Sequence, residues 1–544
     1  MPVFRARSST VQAVLCLLVA GAAVFPAIAR ADMSATLRME IDKTVKAATT
    51  PRQAALAEGL RAFYAARSHS AVWATDRGLT DRGQAVLQHL SRVAQEGLEP
   101  RDYALAEDMP GAVKSGDVAG ARREMAVAAL IMKYAADAGD GRAYVRASKP
   151  DLFVFKEYVN FAAALRGAAA ARDMEAYFAT LPPAAPAYRV LRDLLAVYRK
   201  IDVAGGWPRL ADRSVLKPGA TGVRDELAGL QKLLLKTGDL ASASLAPPPA
   251  SDVYDGALVG GVKAFQKRHG LTTDGIVGAR TRTALNVSVG QRIRQIVLNM
   301  ERLRWVPDTL GDPHVAVNIA GFELTAVRDG KVALRMPVIV GKAYRESPVF
   351  SDRISYLVLN PDWTVPRSIA TKDILPKIRQ SPSYLSDHGF QVFAANGAPL
   401  DPGTVDWSRL GVNNFPYRLV QAPGPRNALG TIKFMFPNRF SVYLHDTPER
   451  GLFARDVRTL SSGCIRVAQP AELAAFILNS SDWHADSVRR EIETGKTRIV
   501  RMAAPVPIHL TYQTAWVDAD GTAQFRDDIY GRDGKLAAAL SADK

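Results

Sequence analysis

Apolar residues recur at helical spacing through the first part of the chain and at strand spacing through the last part, and the change of period divides it. Leu56, Leu60, Phe63 and Tyr64, then Val86, Leu87, Leu90 and Val93, fall three or four apart and predict amphipathic helices. They lie in an Ala-, Leu- and Arg-rich stretch read as a helical domain over 32–210, with Trp73 as a core anchor between the first two helices and Pro182, Pro183 and Pro186 as punctuation. A second domain is expected over 216–288. Leu227, Leu230, Leu233 and Leu234 define a helix ending at Gly238, a second runs from Leu258 to its glycine stop at Gly270, and a third holds Thr283, Ala284 and Leu285. From 291 to 535 alternation dominates, in His314–Ile319, Phe322–Val327 before an Asp329-Gly330 turn, Arg335–Val340, Ser355–Asn360, Thr431–Phe436, Ser441–His445 and 508–517. Between about 369 and 417 the pattern turns irregular and partly helical, which reads as an insertion. The expected class is multidomain α+β.

Composition changes this picture little. The chain has 544 residues and 48% hydrophobic content, enough for several packed cores. A net charge of +16 suits an anionic partner, and nucleic acid is one such class. The N-terminus redirects that reading. Arg5 and Arg7 precede an apolar run from Val11 to Phe25, followed by Ala29-Arg30-Ala31, the pattern of a secretory signal over 1–31 with cleavage after Ala31. An uncleaved anchor is the alternative, although a run of about 15 residues is short for a span of about 20. Export to the periplasm favours an acidic wall polymer over nucleic acid, and a monomer is expected.

Of the two cysteines, Cys16 lies in the apolar leader, so Cys464 is left as a single thiol in an oxidising compartment. It is either an inert buried residue or one kept for its reactivity. Its neighbours decide. Gly463 precedes it, which allows a sharp turn and a close approach of a substrate carbonyl to amide N–H groups. His445 and Arg466 are the groups able to lower the thiol pKa. Among the eight histidines, His69, His89, His269 and His388 fall in helical or insertion segments, and His484 and His509 carry no flanking motif. His445 ends a predicted strand, where a scaffold can present a general base to a loop nucleophile. No His-Glu-x-x-His or clustered Cys/His set exists, so neither a metal nor another cofactor is expected. Ser214–Lys217 and Lys236-Thr237-Gly238 resemble pieces of a serine transpeptidase, but they stand too close together and lack the middle element.

Two stretches resemble known families. The run Ala264-Phe265-Gln266-Lys267-Arg268-His269-Gly270-Leu271 with Asp274-Gly275-Ile276-Val277-Gly278 resembles the three-helix peptidoglycan-binding domain. Tyr443-Leu444-His445-Asp446-Thr447-Pro448 with Ser461-Ser462-Gly463-Cys464-Ile465-Arg466-Val467 resembles the active-site signature of YkuD-family L,D-transpeptidases, above all the large periplasmic members. Ser347-Pro348-Val349-Phe350, Asn360–Pro366, Asn427–Gly430 and Lys433–Asn438 support it. Many members have His where this chain has Ser462.

The resemblance implies a helical scaffold, a small peptidoglycan-binding domain and a mainly β catalytic domain whose insertion caps the substrate. It implies acyl transfer from a tetrapeptide stem through a Cys464 thioester, with loss of D-Ala and a 3→3 cross-link to an acceptor stem. His445 would be the base, oriented by the backbone carbonyl of Asp446. The Gly463 and Cys464 N–H groups with the Tyr443 hydroxyl would form the oxyanion site. Arg466 would hold a substrate carboxylate, with a structural ion pair as its alternative, and Ser462 and Ser461 would face the site or only fill the loop. The partners implied are donor and acceptor peptidoglycan stems and other wall-synthesis or carboxypeptidase proteins. Water as the acceptor, giving a hydrolase, and a non-catalytic wall-binding scaffold are the rival readings.

Overall fold

The computed structural model describes residues 33–105, 117–142, 159–212, 215–241 and 252–542. The predicted signal segment and Cys16 lie outside the described residues. The chain forms two compact units. One comprises the chain up to Thr309 with Thr514–Phe525 and Gly531–Lys544, and the other comprises Leu310–Gln513 with Arg526–Tyr530.

In the first unit the helical period is realised as Met33–Ala47, Pro51–Ala65, Asp81–Leu90, Asp117–Gly139, Phe161–Ala170 and Pro186–Val203. Thr50 caps the second of these reciprocally with Gln53, and Pro51 occupies its first turn, where its missing N–H costs nothing. Helix Asp117–Gly139 is buried on nearly all sides, and its Glu124 receives hydrogen bonds from the Val72, Trp73 and Ala74 amides at 2.8, 2.6 and 2.8 Å. That carboxylate fixes the loop that seats Trp73, which is fully buried in the helical core. Three further helices, Arg224–Thr237, Gly256–Arg268 and Ala279–Leu285, bury Leu227, Leu230, Leu233, Leu234, Val262, Phe265 and Leu285 together. Gly238 adopts φ +79°, the left-handed cap that its helix end requires. Gln266 holds the following turn by accepting from Gly275 N–H at 2.8 Å and donating to Asp274 and to Ile276 O at 2.8 and 3.0 Å.

Two boundaries differ from expectation. Helix Val289–Arg304, most of which falls in the predicted third domain, packs Ile296, Met300 and Leu303 against Tyr188, Leu191 and Leu195 of the first unit. The alternating stretch 508–517 is two strands rather than one. The first ends at Thr511, and Ala515–Val517 pairs instead with Ala523–Phe525. Between them the Thr514 N–H donates to Asn299 Oδ1 at 2.9 Å, so the ladder is interrupted by a side-chain acceptor.

The second unit is built on β1 (His314–Asn318), β2 (Glu323–Arg328), β3 (Lys331–Gly341), β4 (Phe350–Leu359), β5 (Trp363–Thr364), β6 (Phe390–Phe393), β7 (Pro399–Leu400), β8 (Arg418–Gln421), β9 (Ile432–Met435), β10 (Leu444–His445), β11 (Thr459–Ser461), β12 (Ile465–Val467) and β13 (Arg498–Thr511). Nine strands form a sheet in the order β11-β3-β12-β10-β9-β4-β13-β1-β2, and β2 pairs again with β3. The pairing therefore closes on itself, leaving β11 as a branch. Alternate residues fill its core, including Val317, Val338, Leu357, Phe434, Leu444, Ile465 and Leu510. A separate four-stranded sheet, β5-β8-β6-β7, belongs to the insertion. Its core of Val365, Ile374, Ile378, Phe390, Val392 and Leu419 is distinct from that of the main sheet. The insertion is thus a small α+β layer rooted at Trp363 and Gln421, wider than the irregular stretch 369–417, because its two root strands are too short to show a period. Buried Asn427 ties these roots together, donating to Pro361 O at 2.9 Å and Ala422 O at 3.1 Å.

Candidate active site

Strand register brings the predicted chemistry to one face. β10 and β12 run parallel with Leu444 opposite Ile465 and His445 opposite Arg466. Leu444 and Ile465 point into the core, so Tyr443 and His445, with Cys464 and Arg466, face the other way. On the far side of β10, antiparallel β9 sets Lys433 opposite His445. Arg466, His445 and Lys433 therefore form a row across three strands, with Cys464 beside Tyr443 one residue along. The predicted strand from Ser441 is cut to two residues because Ser441 sits at φ +54°. Asn438 shapes the loop before it, donating to Phe436 O at 2.6 Å and Val442 O at 2.8 Å.

His445 is 5% exposed, and its Nδ1–H donates to Asp446 O at 2.5 Å, which assigns the lone pair to Nε2. Burial, then the Arg466 cation, then Lys433, hold its pKa down at about 3. The imidazole is neutral and can accept a proton. Burial also raises the Cys464 thiol, against the Tyr443 hydrogen bonds and the Lys433 and Arg466 charges that pull it down. The resting pair is therefore thiol and imidazole, not thiolate and imidazolium. They are not hydrogen-bonded to each other, and the Cys464 thiol instead approaches Ser441 O at 4.0 Å. The Tyr443 hydroxyl lies between the sulfur and the Trp363 indole, and burial raises its pKa well above the usual range.

The Asp446 carboxylate does not touch His445. Its Oδ2 accepts from Thr431 N–H at 3.0 Å and Thr431 Oγ1 at 2.8 Å, while Oδ1 accepts from Arg450 at 2.9 Å. Gly430, at φ +61°, passes so close that a Cβ there would meet Asp446 Oδ2 at 2.5 Å. Asp446 thus contributes its backbone to the site and its side chain to the frame.

Of the two readings of Arg466 the ion pair is present: one nitrogen pairs with Glu449 at 2.5 Å, while its buried Nε has no hydrogen-bond partner among the described residues. Two other expectations change. Gly463, at φ +119°, does not offer its N–H to an oxyanion, because that N–H donates to Ser461 Oγ at 3.1 Å. Ser461 Oγ in turn donates to Cys464 O at 2.5 Å, so Ser461 braces the loop rather than filling it. Ser462 Oγ accepts from Arg345 at 2.9 Å, and the same guanidinium pairs with Asp373 of the insertion. Arg345 thereby clasps the Cys464 loop to the insertion. A cavity of about 620 Å³ opens there, lined by Tyr344, Glu346, Lys372, Phe440, Val442 and Gly463.

Ser347 and Lys433 stood in the sequence only within stretches that support the resemblance, with no role of their own, and Arg345 and Tyr530 were not singled out. Lys433 had a signal, since it alternates with the core residues Ile432 and Phe434 and must face the thiol side. Its ammonium lies 4.1 Å from the centre of the Tyr443 ring, and burial lowers its pKa. Tyr530 had none.

Comparison with known proteins gives matches at the level of whole domains. Residues 312–508 match the YkuD model, the L,D-transpeptidase catalytic domain, 224–285 match a model described as "Putative peptidoglycan binding domain", and 58–195 match a scaffold domain. The chain therefore carries a YkuD domain over 312–508 and a peptidoglycan-binding domain over 224–285. A Haemophilus influenzae protein called "Putative L,D-transpeptidase" is 37% identical over 246 residues, 45% of this chain and 49% of that protein. The match spans about half the length of that relative. An L,D-transpeptidase structure from Xylanimonas cellulosilytica aligns over 55% of this chain and 98% of its own at 16% identity and a TM-score of 0.19. One from Mycobacterium smegmatis aligns over 38% and 60% at 15% identity and a TM-score of 0.18. Scores this low add nothing to the argument.

Proposed function

We propose that this protein is a cysteine-dependent peptidoglycan L,D-transpeptidase that forms 3→3 cross-links in the periplasm. The observation that carries the reading is His445 on the strand beside Cys464 and on the same face of the sheet, its Nδ1–H donating to Asp446 O. In the first step the Cys464 sulfur attacks the carbonyl carbon of the L,D peptide bond of a tetrapeptide donor, and its proton passes to His445 Nε2. The tetrahedral oxyanion takes a hydrogen bond from the Cys464 N–H. Collapse breaks the C–N bond, and the departing D-Ala amine takes the proton from His445, leaving a thioester. An acceptor side-chain amine then attacks that thioester, loses a proton to the imidazole, and returns the thiol.

A neutral imidazole suits the second half. A base already protonated could not take the proton of an incoming amine. The basic surface and the peptidoglycan-binding domain favour an anionic wall polymer as the substrate, and the insertion beside the thiol loop limits the access of water. The three-helix domain would hold the wall while the thiol works on its stems.

The test is incubation of the purified protein with disaccharide-tetrapeptides and mass analysis of the products. Dimer with loss of D-Ala is the expected result. Tripeptide monomer alone would make water the acceptor and the protein a hydrolase, and unchanged substrate would leave only a wall-binding role.

A further inference from the structure

The nucleophile loop is held from behind by a hydrogen-bonded chain that begins outside the matched catalytic domain. Tyr530, 6% exposed, donates its hydroxyl to Gly341 O at 2.5 Å and receives the Ser347 N–H at 3.3 Å. Its own N–H donates to the Tyr512 hydroxyl at 3.0 Å, and the two rings stack at 5.8 Å. Ser347 is fully buried, accepts Gly341 N–H at 3.0 Å, and donates its hydroxyl to Gly463 O at 2.7 Å. A Cβ on Gly341 would meet Arg345 O at 2.1 Å, so this turn has no room to shift.

Gly463 C=O and Cys464 N–H belong to one peptide unit, planar and trans, in which they point in opposite directions. A hydroxyl that fixes the carbonyl therefore fixes the direction of the N–H. It also polarises the amide, because hydrogen bonding at one end of a peptide strengthens the other. Since Gly463 N–H is taken by Ser461, the amides of this loop without an acceptor among the described residues are those of Ser462 and Cys464, and only the Cys464 N–H shares a peptide unit with the Gly463 carbonyl that Ser347 holds.

We infer that Ser347 and Tyr530 are positioning residues that aim the Cys464 N–H at the oxyanion of the acyl-transfer intermediate. This rests on Cys464 being the nucleophile, as proposed above. It assigns a role to a tyrosine from a re-entrant segment, Arg526–Tyr530, that returns to the strand-rich unit.

The same thiol undergoes two reactions that separate this role from a merely structural one. Acetylation by p-nitrophenyl acetate forms an S–C bond at a carbonyl, passes through an oxyanion, and expels p-nitrophenolate. Alkylation by iodoacetamide displaces iodide at a saturated carbon and develops no oxyanion. In full-length Ser347→Ala, first-turnover acetylation of Cys464 should fall about 10- to 100-fold, and in Tyr530→Phe about 3- to 10-fold, since loss of a whole donor costs about 100- to 1,000-fold. The alkylation rate and its pH midpoint should stay within about 2-fold of the parent. An equal fall in both reactions, or no fall in acetylation, overturns the inference. Acetylation of the parent with no cross-linked or trimmed tetrapeptide would sink the transpeptidase reading and still decide this one. A parent thiol inert to both reagents would sink both.

Discussion

Glu124 in the helical region and Cys464 in the strand-rich unit are both polar groups among buried neighbours, and they differ in what is left unoccupied around them. Glu124 is fully buried, and its two oxygens take four hydrogen bonds, from Tyr64 Oη and from the amides of Val72, Trp73 and Ala74. Burial still wins over those bonds and keeps its pKa above the ordinary carboxylate value. Around Cys464, burial likewise disfavours charge on the thiol and on His445. There, however, the Cys464 N–H has no acceptor among the described residues, and a cavity of about 620 Å³ opens beside the preceding Gly463. The structural polar centre closes its valences within the fold, whereas the loop at Cys464 keeps a donor for something that arrives later.

The widest gap between the two centres should appear on removing their central groups. Cys464→Ser should abolish both cross-linked and trimmed products, at least about 1,000-fold, read by mass analysis, with little change in thermal unfolding. Retained activity would remove Cys464 from the mechanism. Glu124→Ala should do the opposite, leaving Tyr64 Oη and three amides without their acceptor at a cost of about 3–5 kcal/mol in denaturant unfolding. Iodoacetamide alkylation of Cys464 should be unchanged, and a change would break the distinction.

Acid should sharpen the contrast next. His445 titrates at an ordinary 6.5 when unfolded and at about 3 when folded, so the unfolded chain binds the proton first. The stability from keeping it neutral is whole above 6.5 and is lost as the pH falls toward 3, about 5 kcal/mol at most. His509, bonded to Ser351 Oγ and Leu310 O and held near 4, adds in the same direction. His445→Gln should therefore flatten the acid limb of the stability curve measured by urea titration between pH 6.5 and 4, and an unaltered limb would contradict the neutral imidazole.

Smaller effects belong to the charged rim. Arg345→Gln releases Ser462 and Asp373 together and should raise KM by about 3-fold with kcat nearly intact, as expected when binding rather than chemistry is touched. Glu449→Gln should change stability by less than about 1 kcal/mol, because its carboxylate is 59% exposed and water screens the Arg466 pair.

Much of this was legible before any coordinates. Helical period located Leu227 to Leu234 and the glycine stop at Gly238, and alternation located most of the main strands, because each pattern reports which side of a single element is apolar. The pairing of Cys464 with His445 was legible because only one thiol lies outside the apolar N-terminal run and only one histidine ends a predicted strand within a recognisable motif. Boundaries were less so. Helix Val289–Arg304 and strand Ala515–Val517 join the first unit because of the surfaces they meet, and a local period does not say which core will cover it. The insertion sheet was hidden by root strands of two and four residues, too short to carry a period.

The sequence by itself determined the elements, the thiol, the histidine proposed as its base and the glycine beside it, since composition and spacing along the chain are local properties. Only the tertiary structure decided which of those groups are free. Arg466 pairs with Glu449, Gly463 N–H is closed by Ser461, and Ser347 and Tyr530 stand behind the Cys464 loop. Hydrogen bonds are saturable and directional, and their partners here lie up to 116 and 189 residues apart, so their allocation exists only once the strands are in register.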